Sequence, residues 1–360
     1  MKKTKFYNVH GKLGAKLIDF AGYLMPVQYT SIIDEHKAVR NSVGVFDVSH
    51  MGEVRIKGER AFDFVQYLTI NDVSKLSDGR VQYSAMCNEN GGIIDDLLVY
   101  RINEKEYFLV INASNIEKDV NWMHKNNSFG VEILNESDEY SLLAVQGPNS
   151  KKVLQGICDR KLDLEYYHFF NAKCGGIDML VSRTGYTGEL GYELYFKTDE
   201  KKAEEFWNNL FDLGKKYQIK PAGLGARDSL RLEMGFCLYG NDIDETTNPI
   251  EAGLGWITKV NEGDFIGRDA ILKVKEEGVK RKLVAMISSE RVLPRHGYEI
   301  ALNGEIVGNI TSGTLSPILG HPIALGYVDE NYIDSDEELK VKVRNKEIPL
   351  TIVKLPFIKK

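Results

Sequence analysis

Apolar positions along this chain switch repeatedly between a two-residue and a three-to-four-residue spacing, which predicts an α+β protein. Ser31 stands before Ile32, Ile33, His36 and Val39, a polar cap ahead of one apolar face, so a helix is expected over residues 31–41. Residues 53–57 alternate as a short strand, and 58–68 carry a helical spacing. Two strand-like runs then flank Asn88-Glu-Asn-Gly-Gly92, a strong hairpin signal, and a third run over 107–112 follows a polar turn at 103–105. Helices are expected at 114–126, 147–156, 199–217 and 226–234, and strands at 176–182 and 189–197. Residues 275–281 are charged and poor in apolar side chains, as in a linker. Beyond them, short runs at 283–288, 305–311, 324–328 and 339–343 with Gly and Pro punctuation predict a small all-β domain, a barrel or a sandwich.

Length and composition narrow the class. A chain of 360 residues is too long for one ordinary core. Its net charge of −6 argues against a general nucleic-acid binder. No apolar run approaches the roughly 18 residues of a membrane span, and the basic start Met1-Lys-Lys-Thr-Lys-Phe6 lacks the apolar core of a secretory signal. Cys87, Cys158, Cys174 and Cys237 are scattered without a C-x-x-C pair, so reduced thiols are expected. The seven histidines show no zinc-ligand spacing, and no metal site is expected.

The hairpin carries the best mechanical argument. Alternation along its second strand puts Ile94, Asp96, Leu98 and Tyr100 on one face, and separates Asp95 from Asp96. A turn of two or four residues would bring Tyr83 to that face, opposite Asp96 or Leu98; a three-residue loop would flip it. An odd number of residues in the next loop would add Val110 and Asn112. Aliphatics with a few fixed polar groups make a small-molecule site. An aspartate on such a face is costly unless paired or functional, and burial would push its pKa upward, which suits a group that handles protons. The alternative is a strand-end aspartate capping a loop.

Two further stretches stand out. Arg183-Thr-Gly-Tyr-Thr-Gly-Glu-Leu-Gly-Tyr-Glu193 sets three glycines among tyrosines and glutamates, and the strand that follows makes Glu193 a clamp for a flat heterocycle with donor NH groups, or else a solvent-facing residue of a Gly-rich hairpin. On the helix after Gly223, Arg227 and Arg231 stand at i, i+4, where like charges repel unless an anion sits between them. The alternative is that Asp228 and Glu233 satisfy both. No Walker motif, dinucleotide fingerprint or Ser/His/Asp arrangement occurs, and His50 in Asp47-Val-Ser-His-Met-Gly52 has the setting of a packed or loop histidine.

Taken in order, these stretches resemble the aminomethyltransferases (T-proteins) of the glycine cleavage system. The matching segments include Gly22-Tyr-Leu-Met-Pro26, Gly44-Val-Phe-Asp-Val-Ser-His-Met-Gly52, Gly91-Gly-Ile-Ile-Asp-Asp-Leu-Leu-Val-Tyr100, Gln146-Gly-Pro148, Arg183–Glu193, Gly225-Ala-Arg-Asp-Ser-Leu-Arg-Leu-Glu233, Leu238-Tyr-Gly-Asn-Asp-Ile-Asp-Glu245 and Thr311-Ser-Gly-Thr-Leu-Ser-Pro317. The resemblance implies a multidomain folate-binding fold: three domains around a central channel, a region over 1–275 made of two interleaved subdomains, and a C-terminal all-β barrel over 282–360. It implies transfer of a methylene from the aminomethyl group on a lipoylated H-protein to tetrahydrofolate as co-substrate, with ammonia released and no metal. Other glycine cleavage components are implied partners, with no nucleic acid or membrane, and a monomer in the bacterial cytoplasm is expected because the motifs start too near Met1 for a transit peptide.

Residue by residue, the resemblance makes Asp96 the key acidic residue. Glu193 becomes the pterin clamp and Arg227 the partner of the folate glutamyl carboxylate. Met51, Tyr83, Leu98, Tyr100, Val110, Asn112 and Tyr186 are implied to line the pocket, with Phe236 an aromatic at a variable pocket position. Tyr23 replaces a common Trp, and Lys359 or Lys360 stands where some relatives add a tail contact to folate. Two other readings are weighed. One is a related folate-dependent enzyme that demethylates small methylated amines or sulfonium compounds; the retained Asp96 and the lack of a flavin-binding segment weigh against its flavin-fused versions. A folate-binding iron–sulfur assembly factor would carry Lys-Gly-Cys-x-x-Gly-Gln-Glu, where this chain has Asn248-Pro-Ile-Glu-Ala-Gly-Leu-Gly255.

Overall fold

Where a cap and a periodicity agree, the local expectation holds. The computed structural model describes residues 1–288, 290–333, 335, 338–344 and 346–359. Ser31 caps the helix Ile32–Asn41 by accepting from the Asp34 amide, and Asp199 does the same for Glu200–Gly214 through the Lys202 amide. Of the linker expected at 275–281, residues 278–280 alone lie outside a helix or strand. The helix Arg268–Glu277 runs through its first part and buries Ile271, and the strand Arg281–Ser288 starts at its end. A helix that buries a single apolar residue in one turn leaves a composition like that of a loop.

The chain forms two compact units, each discontinuous in sequence. The first comprises Met1–Phe64, Val73–Gln82 and Leu97–Asp228. Its six-stranded sheet runs in the order Phe169–Cys174, Ile177–Ser182, Gly191–Lys197, Tyr140–Gln146, Gly44–Asp47 and Lys220–Pro221. Val45, Leu143, Val145, Leu194 and Phe196 of this sheet pack with Phe206, Trp207 and Leu210 of the helix Glu200–Gly214 in one buried core. Only one of these strands, Gly191–Lys197, falls inside a strand expected at 189–197 while being buried along nearly its whole length. Strands buried on both faces lose their alternation, which is why Tyr140–Gln146, buried from Ser141 onward, gives no two-residue signal.

The second unit comprises Val65–Asp72, Tyr83–Asp96 and Ser229–Lys360. Its C-terminal part is a closed barrel of six strands, Arg281–Ser288, Pro322–Asp329, Glu305–Leu315, Glu299–Leu302, Leu339–Val343 and Lys346–Val353 in ring order. Met286, Ile300, Ile310, Val328, Val341 and Ile348 fill it. The tip of the expected hairpin belongs to this unit. Ile70, Ala85, Cys87 and Ile93 pack there with Ile257, Phe265 and Ile271.

A five-stranded sheet contains the hairpin, in the order Val81–Cys87, Ile93–Asn103, Glu106–Ile111, Gly52–Lys57, Glu132–Asn135. Only Glu104 and Lys105 separate its second and third strands, an even loop that would put Val110 on the wrong face. A bulge between Arg101 and Asn103 supplies the missing residue and restores Leu98 opposite Val110 and Tyr100 opposite Phe108. The parity that the expectation assigned to the loop is carried by the strand.

The cysteines need a correction. Cys158 and Cys174 form a disulfide across a spacing of 16 residues, while Cys87 and Cys237 are free and buried. An isolated backbone bridge joins Cys158 to Cys174, the last residue of its strand, so tertiary structure brings together two residues that no local motif pairs.

Gly92 explains why the hairpin tip is Gly-rich. A Cβ there would lie 1.8 Å from the Glu245 carbonyl oxygen, and neither backbone can yield cheaply. Gly92→Ala is expected to destabilise the protein by roughly 2–3 kcal/mol in urea unfolding. Gly11→Ala is the control, because nothing lies within 4 Å of that Cβ in the helix Tyr7–Lys12. It should be neutral or stabilising by about 0.5–1 kcal/mol; equal effects at the two positions would show that the close approach at Gly92 is unimportant.

Candidate functional site

Buried carboxylates need donors, and the Gly-rich stretch is built to supply them. Glu193 is 6% exposed and lies on the strand Gly191–Lys197, opposite Ser182. Thr184 Oγ1 donates to Glu193 Oε2, and Tyr195 Oη donates to the same oxygen at 3.3 Å. Since the Tyr195 proton is committed to the carboxylate, Tyr100 Oη, 2.9 Å away, donates to Tyr195. Ser182 Oγ lies 2.9 Å from Thr184 Oγ1 and completes a chain of hydroxyls. Glu193 Oε1 has no partner among the described residues, so a ligand with NH donors meets an anchored acceptor. Burial, then the Glu193 charge, pushes the phenols of Tyr100 and Tyr195 up, so both stay protonated donors.

The glycines between Arg183 and Glu193 make room for one buried amide. A Cβ at Gly185 or Gly191 would lie 2.1 or 2.3 Å from the Gln146 side chain. Gln146 Nε2 donates to the Thr184 carbonyl at 3.2 Å, and its Oε1 accepts from Thr187 Oγ1 at 2.9 Å. The loop that carries Thr184 and Tyr186 is therefore pinned from inside.

Arg227 and Arg231 have opposite fates. Arg231 is fully buried, with Nη1 donating to Asp242 Oδ2 at 2.7 Å and to the Phe236 carbonyl at 3.0 Å, and Nη2 to Ser312 Oγ at 2.9 Å. It is structural, with Asp242 as its ion-pair partner, and Glu233 accepts from Ser316 and the Ile318 amide. An Asp at i+11 in a following loop leaves no helical signature. Arg227 is half-buried, lies 4.7 Å above the Tyr186 ring, and makes no hydrogen bond or ion pair among the described residues. Burial lowers its pKa while Glu193 and the tyrosines act in the other direction.

In the second unit, Tyr83 Oη donates to Asp96 Oδ2 at 2.9 Å. The two strands are separated by five residues, Asn88 to Gly92, rather than the two or four that the parity argument required, and the long phenol reaches Asp96 all the same. Asp95, on the other face, is fully buried, whereas Asp96 is half-buried. Trp256, 64% exposed, stacks on the Tyr83 ring at 6.1 Å. The sequence reading did not single it out; a lone Trp in a Gly-rich turn was the available signal. Phe236 is half-buried in the loop after the arginine helix, where its carbonyl accepts from Arg231 Nη1.

The remaining expected positions lie in the first unit. Glu53, Val110 and Leu98 form one cross-strand row, Met51 and Asn112 are half-buried at strand ends, and Tyr100 is fully buried behind Glu193 rather than open to solvent. Tyr23 fills its site with its hydroxyl 3.4 Å from Asp138. Lys359 is exposed, and Lys360 lies outside the described residues.

These features can be set against known proteins. Residues 6–262 match the GCVT N-terminal domain, and residues 281–359 match the glycine cleavage T-protein C-terminal barrel domain. An aminomethyltransferase of Halothermothrix orenii is 54% identical over 359 residues, covering 99% of this chain and 100% of that one. Another from Flavobacterium psychrophilum is 52% identical and covers both chains fully. A crystal structure of the glycine cleavage aminomethyltransferase T of Bartonella henselae superposes with a TM-score of 0.92 at 34% identity, over 99% of this chain and 98% of that one. The chain belongs to the glycine cleavage T-protein family. Its activity is that of an aminomethyltransferase of the glycine cleavage system.

One buried acid stands apart from these roles. Glu53 is 1% exposed and neither carboxylate oxygen has a hydrogen-bond partner among the described residues. Burial, then the Glu136 charge, raises its pKa well above the ordinary 4.5. A raised folded-state pKa means that Glu53 costs nothing extra below pH 4.5 and destabilises the fold as pH rises above it. Glu53→Gln should therefore melt a few degrees higher than the parent at pH 8, with the gap closing toward pH 4. An equal melting difference at both pH values would mean that the Glu53 pKa is the same in the folded and unfolded chain.

Proposed function

We propose that this chain takes the methylene of an aminomethyl group carried on the lipoyl arm of H-protein and passes it to tetrahydrofolate. Ammonia leaves, and methylene-tetrahydrofolate and the dihydrolipoyl carrier are the products. The observation that carries the folate reading is Arg227, a half-buried guanidinium with a π-face beneath it and no ion-pair partner among the described residues. Such a group fits the glutamyl carboxylate of a folate. The open Glu193 Oε1 fits the NH groups of a pterin, and its hydroxyl chain keeps it aimed without neutralising it.

Tetrahydrofolate supplies the nitrogens that accept the one-carbon unit. The protein's part is to hold charge and protons. Asp96, kept in place by the Tyr83 phenol, is the carboxylate that stabilises positive charge developing at the transferred carbon and takes the proton that the acceptor nitrogen loses. In the first unit Met51, Leu98, Val110, Asn112 and Tyr186 supply a mostly apolar lining and Tyr100 supports Glu193; Phe236 belongs to the second unit, with Tyr83 and Asp96. The working form is a monomer in the bacterial cytoplasm, meeting H-protein and the other glycine cleavage components. Among the described residues no helix is long and apolar enough to cross a membrane.

The test is a reconstituted reaction with aminomethyl-lipoyl H-protein, following ammonia with and without tetrahydrofolate. Folate-stimulated release with methylene-tetrahydrofolate formed supports the reading; no stimulation despite folate binding refutes it. In that assay Asp96→Asn should lower turnover at least about tenfold while tetrahydrofolate affinity changes only a few-fold. Full turnover in the variant would remove Asp96 from the chemistry. Arg227→Ala should weaken tetrahydrofolate by roughly 1–3 kcal/mol in calorimetry, and an unchanged Kd would make Arg227 structural.

A further inference from the structure

The disulfide between Cys158 and Cys174 closes a loop over residues 159–173 of the first unit. Cys158 follows the helix Ser150–Gln155 and keeps 9% of its surface exposed, while Cys174 ends the strand Phe169–Cys174 and is fully buried. Backbone hydrogen bonds flank the disulfide. The Gly175 amide donates to the Ile157 carbonyl at 2.8 Å, and the Asp159 amide to the Lys173 carbonyl at 2.9 Å. Those pairs keep the two sulfurs adjacent whether or not they are joined, so the bond can open and re-form in place. In a chain read as cytoplasmic, a disulfide that solvent thiols reach is reversible rather than a permanent staple.

The closed segment reaches the Glu193 site by two routes. The Tyr167 amide donates to the Arg183 carbonyl at 3.1 Å, the Arg183 amide to the His168 carbonyl at 2.8 Å, and Arg183 Nη1 to the Leu164 carbonyl at 2.7 Å. These bonds hold the residue next to Thr184, whose hydroxyl donates to Glu193. By the second route, Phe169 pairs with Ser182 and Ser182 with Glu193 across the sheet. The Phe169 ring also packs on Tyr100 with centroids 5.3 Å apart, and Tyr100 supports Tyr195, the other donor to Glu193. Tyr167 itself sits at φ 60°, a left-handed conformation that a bulky residue keeps only where its surroundings impose it. Without the cross-link the segment gains freedom, and a ligand must order the donors around Glu193 as it binds.

We infer that Cys158 and Cys174 are a reversible redox site: the disulfide form holds Glu193 ready for tetrahydrofolate, and the dithiol form binds it more weakly. The inference rests on the folate reading of that site. The bond forms when the Cys158 thiolate attacks a low-molecular-weight disulfide of the glutathione type and displaces one thiolate. The Cys174 thiolate then attacks Cys158 Sγ and displaces the second. Two protein thiols are oxidised, one small disulfide is reduced to two thiols, and two protons pass from the cysteines to the departing thiolates. Excess small thiol runs the same steps backward, entering at the more exposed Cys158. Because the two equilibria are linked, tetrahydrofolate protects the disulfide by the same factor by which the disulfide tightens tetrahydrofolate.

In the experiment, the full-length protein is equilibrated without oxygen in glutathione buffers of graded thiol-to-disulfide ratio. Peptide mass mapping after maleimide block reads the state of Cys158 and Cys174, and calorimetry measures tetrahydrofolate binding to the oxidised and reduced forms. Expected are full reduction by excess dithiothreitol with the fold retained by circular dichroism, and affinity at least about fivefold weaker in the reduced form. Saturating tetrahydrofolate should raise the thiol ratio needed for half-reduction by the same factor. Cys158→Ser should bind like the reduced parent and ignore the oxidant, which separates this pair from the buried thiols of Cys87 and Cys237. Equal affinity in the two forms, a bond that excess dithiothreitol leaves intact, a reduced form that unfolds, or thiols that glutathione disulfide does not join would each overturn the inference and leave the folate reading standing. No tetrahydrofolate binding in either form defeats the folate reading, and the inference with it. If Cys158→Ser does not fold, the two redox forms of the parent still decide.

Discussion

The burial of the Glu193 carboxylate sets the terms for everything around it in the first unit. A carboxylate taken out of water costs several kcal/mol unless donors replace the lost hydration. Here the donors are hydroxyls rather than a cation: Thr184 and Tyr195 on one oxygen, with Tyr100 behind Tyr195. Hydroxyls hold the charge in place and leave it a charge. A salt-bridged lysine or arginine would have used the open oxygen as well. The price is that three strands must deliver side chains to one point, which fixes the register of Ser182 opposite Glu193 and the burial of two tyrosines.

The same logic distinguishes the two arginines on one helix. Arg231 is enclosed by Asp242, Ser312 and a carbonyl, so its charge is fully used within the second unit. Asp242 in turn accepts from Thr311, and its carbonyl accepts from Tyr327, which ties the loop after the helix to the barrel strands. Arg227, one turn earlier, has an aromatic ring and, among the described residues, no ion-pair partner. A structural cation is recognised by its complete set of acceptors, and a ligand-binding cation by the set it lacks.

Several devices in the sheet that carries the hairpin are invisible to simple parity. The bulge between Arg101 and Asn103 corrects an even loop and returns Val110 to the face of Leu98. The five residues at the hairpin tip should have sent Tyr83 away from Asp96, yet the phenol reaches it. Glycine choice at that tip follows from the approach of the Glu245 backbone, not from turn preference alone.

The sequence by itself determined the α+β class, the capped helices, the C-terminal β domain, and the shared strand face of Asp96, Leu98 and Tyr100, because caps and alternation are local and survive folding. The ordered motifs, Arg183 to Glu193 above all, carried the family. Tertiary structure alone decided which charges are spent and which are open. Asp242, eleven residues along the chain, pairs with Arg231, the Tyr195 hydroxyl holds Glu193, and Trp256 covers Tyr83. It also paired Cys158 with Cys174, and turned an expected linker into the end of a helix. The physical reason is common to all of these. A side chain's cost depends on the partners that meet it in space, and partners from distant segments leave no periodic trace in the chain.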